Sequence, residues 1–479
     1  MSSHNQTCTS TCKPRHSRKL LALFIGSLIA VSGPSMVAGQ EAGTPTAQES
    51  AELESLMQRH DGMGRTLEDF FRASLEYSPR LAIAEERMNI GTARRQAANG
   101  QLFPQLSASA SVYENRQERT GSSPVDYQGE RYSVQLRQVL FDWRTFARRG
   151  AAYAEENQYE AEYYAELAAH LADVSERYFD VLQAQDALES SRAELEALNN
   201  QLAQVERMHQ LQMVQVTDLY QAQAQVSAIE AEQVYLSSEL DLAREALRSA
   251  TGLAVGELYT LEDTADLPRI EGTLEEWVNR ARANSHQIQA YQFALEAADE
   301  RVSERRGNYM PQVSLVLQQQ QSNLGFDNTL TPRTDTGYVG VDISVPLFAG
   351  GSNRAAVREA ISQQSIARNQ LRQTHLDVSE QTRFAFLRIQ AAERQIRAAE
   401  ALLESRELSA RARRRGFELG TVTTVDVLEA VRDQFVAERD LQQVRYDYIR
   451  LSLYLRRDAG TLSPDDLLDI SSRLQPREQ

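Results

Sequence analysis

The sequence predicts a membrane protein of the α+β class, in which each chain supplies four membrane-crossing strands and several very long helices. Three observations lead to this prediction. The chain is a tandem duplication, two of its segments have the composition of helices of nearly 70 residues, and four short segments alternate apolar with polar residues. A repeat of this length indicates an architecture built from two copies of one structural unit.

The duplication has a period of about 207 residues, and this shift holds without a gap over some 80 residues. The matched pairs include Thr66 and Thr273, Gly100 and Gly307, and Phe141 and Phe348. Further along, the shift becomes 205 and then 208, as in the match of Asp218 with Asp426. The sequence therefore predicts two outer-membrane repeats with a linker and a tail at mid-height: residues 66–260, 261–272, 273–460 and 461–479.

The first 39 residues have the three parts of a secretory signal peptide: a basic start, an apolar run and a small-residue cleavage site. The apolar run, 20–31, is shorter than the ~20 residues that a spanning helix needs. Cys8 and Cys12 lie inside this segment, so the exported chain contains no cysteine and no disulfide. Residues 40–65 are small, polar and acidic, and predict a flexible lead-in.

The charge of the chain argues against nucleic acid as a partner. The formal net charge is −16, and removal of the signal peptide with its four basic and no acidic residues leaves −20. Binding to nucleic-acid phosphates requires clustered positive charge. We therefore expect no nucleic-acid partner.

Two proline-free segments, 144–212 and 352–419, are rich in the strong helix formers Ala, Glu, Gln, Arg and Leu. Their apolar residues recur at steps of three and four, which places them on one packing stripe. Each helix would be roughly 100 Å long. Four further segments predict helices of about half that length, so that two placed end to end equal one long helix: 66–100, 217–251, 273–307 and 423–457.

Four segments have the alternation and the length of about ten residues expected of strands that cross a bilayer at a tilt. These segments are about 104–116, 130–141, 311–322 and 337–348. Gly350 and Gly351 follow the last of them and predict a backbone joint where the chain leaves the bilayer and turns into a helix. Asp142 and Trp143 occupy the same joint in the first repeat.

Four strands cannot close a barrel, and an open sheet edge in lipid would leave backbone groups unpaired. The chain must therefore associate with copies of itself. Two chains would supply eight strands, about the practical minimum, and three would supply twelve; periodicity alone does not choose between them. The alternative, from a different class, is a soluble periplasmic coiled-coil scaffold or adaptor protein whose apolar strand faces pack on protein instead of lipid.

Five segments resemble the repeat motifs of the TolC family of outer-membrane efflux proteins: PQLSASASV, LRQVLFDW, ISVPLFAGGSNRAAV, RGFELGTVTTVDVLEA and AGTLSPDDL. The resemblance covers residues 66–470, in the order and spacing of the family. It implies a homotrimer, with a twelve-stranded barrel in the outer-membrane lipid that continues into a long α-helical coiled-coil barrel in the periplasm. It further implies the outer-membrane channel of a tripartite efflux or type I secretion system, engaged by an inner-membrane pump through a periplasmic adaptor (membrane fusion) protein.

The segments 214–219 and 421–428 are expected at two helix-hairpin tips, farthest from the membrane. The resemblance implies adaptor contacts there, which we assign to Val214, Thr217, Asp218, Gly420, Thr421 and Val422. Thr217 and Thr424 are expected to cap the returning helices. The chain departs from the family at Gln212, where glycine is usual, at Val422, which replaces an arginine, and at Phe417, which replaces a tyrosine. The sequence therefore does not identify the residues that hold the channel closed.

Asp426 and Glu429 are three residues apart and share one helix face. The resemblance implies that they line a constriction, where three-fold symmetry would create two stacked rings with six carboxylates. Such rings attract cations and repel anions. A solvated acidic helix face is the alternative interpretation.

No catalytic, cofactor or metal site is predicted, and we expect the protein not to be an enzyme. The sequence has no phosphate-binding loop, nucleophile elbow or zinc motif. Five histidines outside the signal peptide are scattered without the spacing of metal ligands: His60, His170, His209, His286 and His375. The sequence does not identify the transported cargo.

Overall fold

The computed structural model describes residues 63–118, 120–121, 123–261, 267, 269–324 and 329–476. The predicted signal peptide and nearly all of the predicted lead-in lie outside these residues, as does part of the predicted linker. No helix within the described ranges is both long and apolar enough to cross a membrane.

The described chain contains helices and strands in the same order in both repeats. The first repeat comprises β1 (Met63–Gly64), α1 (Leu67–Tyr77), α2 (Pro79–Gly100), β2 (Gln105–Gln117), β3 (Val125–Asp142), α3 (Trp143–Gln210), α4 (Val216–Thr251) and β4 (Ala254–Val255). The remainder comprises β5 (Thr260–Leu261), α5 (Leu274–Asn284), α6 (His286–Arg306), β6 (Gln312–Leu324), β7 (Leu330–Ser344), α7 (Ser352–Glu418), α8 (Thr424–Asp458), α9 (Pro464–Ser472) and β8 (Leu474–Gln475).

The long helices α3 and α7 have 68 and 67 residues, so each is about 100 Å long. α3 begins directly after β3, whereas seven residues, 345–351, separate β7 from α7. Asp142 caps α3 by accepting a hydrogen bond from the backbone N–H of Arg144 at 3.0 Å. Gly350 and Gly351 precede α7 and both have positive φ angles, 59° and 86°, which glycine adopts without steric cost.

The prediction of single helices over 66–100 and 273–307 is wrong, because each segment is broken into two helices. The first break lies at Ser78, since Pro79 has no N–H to donate and can begin a helix but not continue one. The second lies at Ser285, where no proline is present. There Gly460 packs so closely that an added Cβ would lie 2.3 Å from the carbonyl oxygen of Asn284.

The four long strands form one antiparallel sheet in the order β2-β3-β6-β7, so β2 and β7 are its edges. Their bounds differ from the predicted ones, most clearly in the last strand, which spans Leu330–Ser344 instead of 337–348. Pro346 explains the earlier end, because a residue without an N–H cannot continue the ladder. β3 begins five residues before the predicted start at 130, since pairing continues out to Gln117 and Val125.

The helices repeat the order of the strands. Along its first half, α3 lies between α2 and α6, as shown by the hydrogen bond from Thr92 to Glu156 and the ion pair of Arg301 with Glu155. Along its second half, α3 lies between α4 and α8. α7 packs against α6 and then α8. The edges of the helical layer are therefore α2 and α4 on one side and α7 on the other.

The two ends of the described chain meet at the middle of the long helices. β1 pairs with β4, and β5 pairs with β8. Leu67 and Phe70 near the start of the chain, and Leu467 and Ile470 near its end, join one buried cluster with the midpoint residue Tyr178 of α3. This cluster fixes the half-length helices at mid-height, so that α1 and α2 lie toward the sheet and α4 and α8 extend away from it.

Candidate functional site

The two hairpin tips lie side by side and share one hydrophobic core. The core is formed by side chains from all four helices that end there: Leu198, Val205, Ala222, Val226, Ile229, Phe417, Val427, Leu428 and Val431. Val214 and Val422, both predicted as adaptor contacts, are half-buried against this core. The structure therefore brings the two predicted tip segments together.

Both long helices end in the same capping motif. At the first tip, the N–H groups of Gln212 and Met213 donate to the carbonyls of His209 and Met208 at 2.9 Å. At the second tip the same two bonds recur 208 residues later, from Gly420 to Phe417 and from Thr421 to Gly416, again at 2.9 Å. These paired bonds are those of a Schellman motif, which needs one residue with positive φ.

That residue is Gly420 at the second tip, with a φ of 74°, but Gln212 at the first, with a φ of 58°. Within the described residues, Gln212 is the only one other than glycine with a positive φ. A side chain in the left-handed region costs roughly 1–2 kcal/mol. The departure from the family at Gln212 therefore places local strain at the first tip, and the motif forms in spite of it.

The capping prediction is wrong at both returning helices by one or two residues. Gln215, not Thr217, precedes α4, and its N–H donates to the Asp218 carboxylate at 3.2 Å. Thr423, not Thr424, caps α8: its hydroxyl accepts from the N–H of Asp426 at 3.3 Å. The N–H of Thr423 donates back to the Asp426 carboxylate at 3.2 Å, which completes a capping box.

The Asp426 carboxylate is thus tied to the start of its own helix. Its strongest contact is the Thr423 hydroxyl, which donates to it at 2.6 Å and is the main cause of a lowered Asp426 pKa. Arg413 on α7, which the sequence analysis missed, lies 3.8 Å from the same carboxylate and donates to the Asp426 carbonyl at 3.1 Å. The signal for it was the arginine-rich run at 411–415 just before the tip.

Glu429, one turn further along α8, is exposed and hydrogen-bonds nothing within the described part of the chain. Thr217, Gly420 and Thr421 are exposed as well, so they are available to a partner at the tip. Thr421 is partly engaged, since its hydroxyl donates to the carbonyl of Gly416 at 3.0 Å. The two predicted constriction residues are therefore unequal, one held in a cap and the other free.

Phe417 and Val422, which depart from the family motif at the second tip, both pack against neighbouring residues. Phe417 is only 5% exposed and lies in the shared core of the tips. The Val422 side chain lies 2.6 Å from the point where a Cβ on Gly416 would be, which explains why residue 416 is a glycine. Neither side chain offers a polar group to a gating network.

The sheet has one apolar and one polar face, which directly opposed residues identify. Across the four strands, Leu106, Leu136, Leu317 and Val339 form one apolar row. Three positions further along each strand, and therefore on the other face, a polar row consists of Ser109, Ser133, Gln320 and Thr336. In it the Ser109 and Ser133 hydroxyls lie 2.7 Å apart. An apolar outer face with a polar inner face is typical of membrane barrels.

The described residues contain no group of three or more His, Cys, Asp or Glu side chains arranged to hold a metal ion. A cavity of about 740 Å³ is lined by residues of α2, α3, α6, α7 and α8. It is lined by both charges, including Arg80, Glu166 and Asp458. Arg80 and Glu166 pair with each other at 2.8 Å, so two of its charged lining residues neutralise each other.

Comparison with known sequences finds a match to the family described as Outer membrane efflux protein, over residues 71–253 and 277–461. Outer membrane protein TolC of Vibrio cholerae is 27% identical over 413 residues, covering 85% of this chain and 94% of that protein. Alkaline protease secretion protein AprF of Pseudomonas aeruginosa is 25% identical over 427 residues, covering 86% of this chain and 88% of that protein.

Among solved structures, the outer membrane protein VceC of Vibrio cholerae superposes with a TM-score of 0.71 at 21% identity. The superposition covers 82% of this chain and 96% of VceC. At this identity the likeness concerns the fold.

Proposed function

Because the chain belongs to the outer membrane efflux protein family, we propose that it is a passive duct through which an efflux or type I secretion system exports its cargo. The duct lies in the outer membrane and opens from the periplasm to the exterior. The family is one of channels rather than enzymes, and membership favours this function over a soluble scaffold. Family relatives are named for efflux and for protease secretion, so either class of cargo suits the proposal.

One observation carries the proposal: the sheet and the helical layer are open at corresponding edges. β2 and β7 have no strand partner on their outer sides within the described chain. Unpaired backbone groups are not tolerated in lipid. A second copy of the same sheet, joined edge to edge, would satisfy them while keeping the apolar face toward lipid and the polar face toward a water-filled interior.

The helical edges support the same association. Large apolar side chains are exposed on the edge helices, on α4 at Tyr220, Tyr235 and Leu242, and on α7 at Leu376, Phe384, Leu387 and Leu408. Apolar side chains that are exposed in one chain and aligned along an edge helix favour packing against another chain. A homotrimer would give twelve strands, a ring wide enough for a water-filled passage.

We place the adaptor protein and the inner-membrane pump at the tips, which lie farthest from the sheet. The exposed residues Thr217, Gly420 and Thr421, with Asp218 behind them, would form the contact surface, while Val214 and Val422 support it from the core. Asp426 and Glu429 would line the constriction at this end, with Glu429 supplying the free carboxylate. Gly350 and Gly351 would form the joint between the membrane-spanning part and the helices.

The test is the oligomeric mass and membrane behaviour of the purified mature chain. We expect a detergent-solubilised particle with three chains that inserts into phospholipid vesicles and conducts ions. A folded monomer that stays in the aqueous phase and neither inserts nor conducts would contradict the duct and favour the soluble scaffold.

A further inference from the structure

The apolar face of the sheet continues onto one side of α3. Phe141 belongs to this face, since it lies opposite Val313 on β6. Its ring lies 6.2 Å from that of Phe146, on the first turns of α3. Phe146, Arg149 and Tyr153 are spaced by three and four residues and therefore share one face of the helix. We call these four residues, Phe141, Phe146, Arg149 and Tyr153, the membrane-proximal stripe.

Arg149 is held in place within this stripe by uncharged partners. Its Nε donates to the side-chain oxygen of Asn99 on α2 at 2.8 Å. Its guanidinium carbon lies 5.3 Å from the centre of the Tyr153 ring, and Arg95 lies at the same distance from that ring. Arg95 pairs with Glu156. Arg149 is exposed and forms no ion pair with a carboxylate in the described part of the chain.

The surroundings of Tyr153 indicate a positive local field. The pKa of its hydroxyl is lowered to about 8, chiefly through the hydrogen bond with Arg149 and then through those with Asn99 and Arg95. An environment that favours a phenolate also favours another anion placed beside the same guanidinium.

Measured from the end of β3, Arg149 lies just beyond the headgroup layer, and its side chain can reach that layer. It follows the strand end at Asp142 by seven residues, or about 10 Å along α3. The headgroup layer of a bilayer leaflet is roughly 5–8 Å thick, and an arginine side chain can extend several ångströms toward it. Phe146 lies between Arg149 and the strand end, at the depth where interfacial aromatic residues are common.

We propose that the membrane-proximal stripe binds the phosphate of an anionic phospholipid in the periplasmic leaflet. This inference rests on the proposed function, because it requires the sheet to lie in the outer membrane. Arg149 provides the charge and its fixed geometry, and Phe141 and Phe146 contact the glycerol and upper acyl region. Asn353, Ala356 and Ala360 occupy the corresponding positions of the second repeat, so each chain has one such site.

The test measures lipid retention by the purified protein in detergent, using native mass spectrometry with phosphatidylglycerol and phosphatidylcholine of identical acyl chains. We expect the unmodified protein to retain phosphatidylglycerol preferentially. Arg149→Gln should reduce that preference about tenfold, the usual scale for loss of one charge-assisted contact. Arg149→Lys should keep part of it, because the charge remains.

Arg414→Gln is the matched control. Arg414 is also exposed and without a carboxylate partner in the described chain, but it lies near the tip, at the far end of α7. Arg414→Gln should therefore leave the preference for phosphatidylglycerol unchanged. Equal preference in Arg149→Gln and the unmodified protein would overturn the inference and leave Arg149 a role in α2–α3 packing only. Competition by millimolar inorganic phosphate as effective as by phosphatidylglycerol would also overturn it, in favour of a free-anion site.

The same preparations separate this inference from the proposed function. If the unmodified chain fails to insert into vesicles of either lipid, the proposed duct fails. If it inserts and conducts normally but shows no preference for phosphatidylglycerol, only the lipid site fails.

Discussion

Alanine at Gly460 should destabilise the protein through one backbone contact at mid-height. Gly460 has a φ of 64° and ends the turn after α8. A Cβ there would lie 2.3 Å from the Asn284 carbonyl oxygen and 2.9 Å from the Ser285 nitrogen. Both atoms belong to the break between α5 and α6, so neither can move without moving a helix end.

Three contributions determine the destabilisation expected of Gly460→Ala. A non-glycine residue in the left-handed region costs roughly 1–2 kcal/mol, of which the reduced freedom of the unfolded chain returns about 0.4–1 kcal/mol. Forcing an additional carbon into a packed site costs about 1–3 kcal/mol more. We therefore expect Gly460→Ala to lower the free energy of unfolding by about 1–5 kcal/mol, with the middle of the ranges near 3 kcal/mol.

Two other glycines provide graded controls. Gly420 has a φ of 74° and open space around its Cβ position, so Gly420→Ala should show the backbone cost alone, about 1 kcal/mol. Gly252 has a φ of 72° and would meet the Tyr77 ring at 2.5 Å, but that ring is half exposed and can rotate away. Gly252→Ala should fall between the other two.

The assay is denaturant-induced unfolding of the detergent-solubilised protein, followed by circular dichroism at one protein concentration. Equal destabilisation in all three variants would show that the close contact of residue 460 with the break between α5 and α6 adds nothing to the cost of the left-handed conformation.

Three further changes have expected outcomes. Gln212→Gly removes a left-handed side chain and should stabilise the first tip by about 0.5–1 kcal/mol, measured as slower amide hydrogen exchange around residues 208–213. Thr423→Ala removes the helix cap, which should cost about 1 kcal/mol, and should raise the pKa of Asp426. Because that pKa is lowered in the folded chain, the carboxylate stabilises the tip at neutral pH and stabilises it less as the pH falls through the folded pKa. Amide hydrogen exchange measured against pH should therefore show a weaker pH dependence in the variant. Arg439 pairs with the fully buried Glu194 at 3.0 Å, so Arg439→Met leaves a buried charge without its partner and should cost about 3–5 kcal/mol of unfolding free energy. The double variant with Glu194→Gln should recover most of that loss. No recovery would show that the buried charge is not the cause of the destabilisation.

The long helices and the four strands could be predicted because their signals are periodic. Stretches such as α3 carry dozens of helix-forming residues without a proline, and every strand alternates its two faces. Because the chain is a tandem duplication, each helix and strand signal occurs in both repeats. The fold class was predicted from these periodic signals and the family from the five quoted segments, and both predictions are confirmed by the comparisons.

The helix break at Ser285 could not be predicted in the same way. Pro79 provides a local signal for the first break, but residue 286 is a histidine, and the second break contacts Gly460, which is distant in sequence. At the tip, the Asp426 contact with Arg413 is likewise tertiary, since it joins two helices. Capping at Thr423 instead of Thr424 shows that a one-residue shift decides which hydroxyl is used.

A duct whose tip end is lined by the carboxylates of Asp426 and Glu429 should select cations, and its ion selectivity is the first property to measure. The measurement is the reversal potential of the purified protein in a planar bilayer under a potassium chloride gradient, compared with the double variant Asp426→Asn, Glu429→Gln. A matched control is Asp465→Asn, Asp469→Asn on α9, at mid-height. We predict cation selectivity in the unmodified protein and the control, and a large loss of it in the double variant. Unchanged selectivity in a double variant that still conducts would show that these carboxylates do not line the passage.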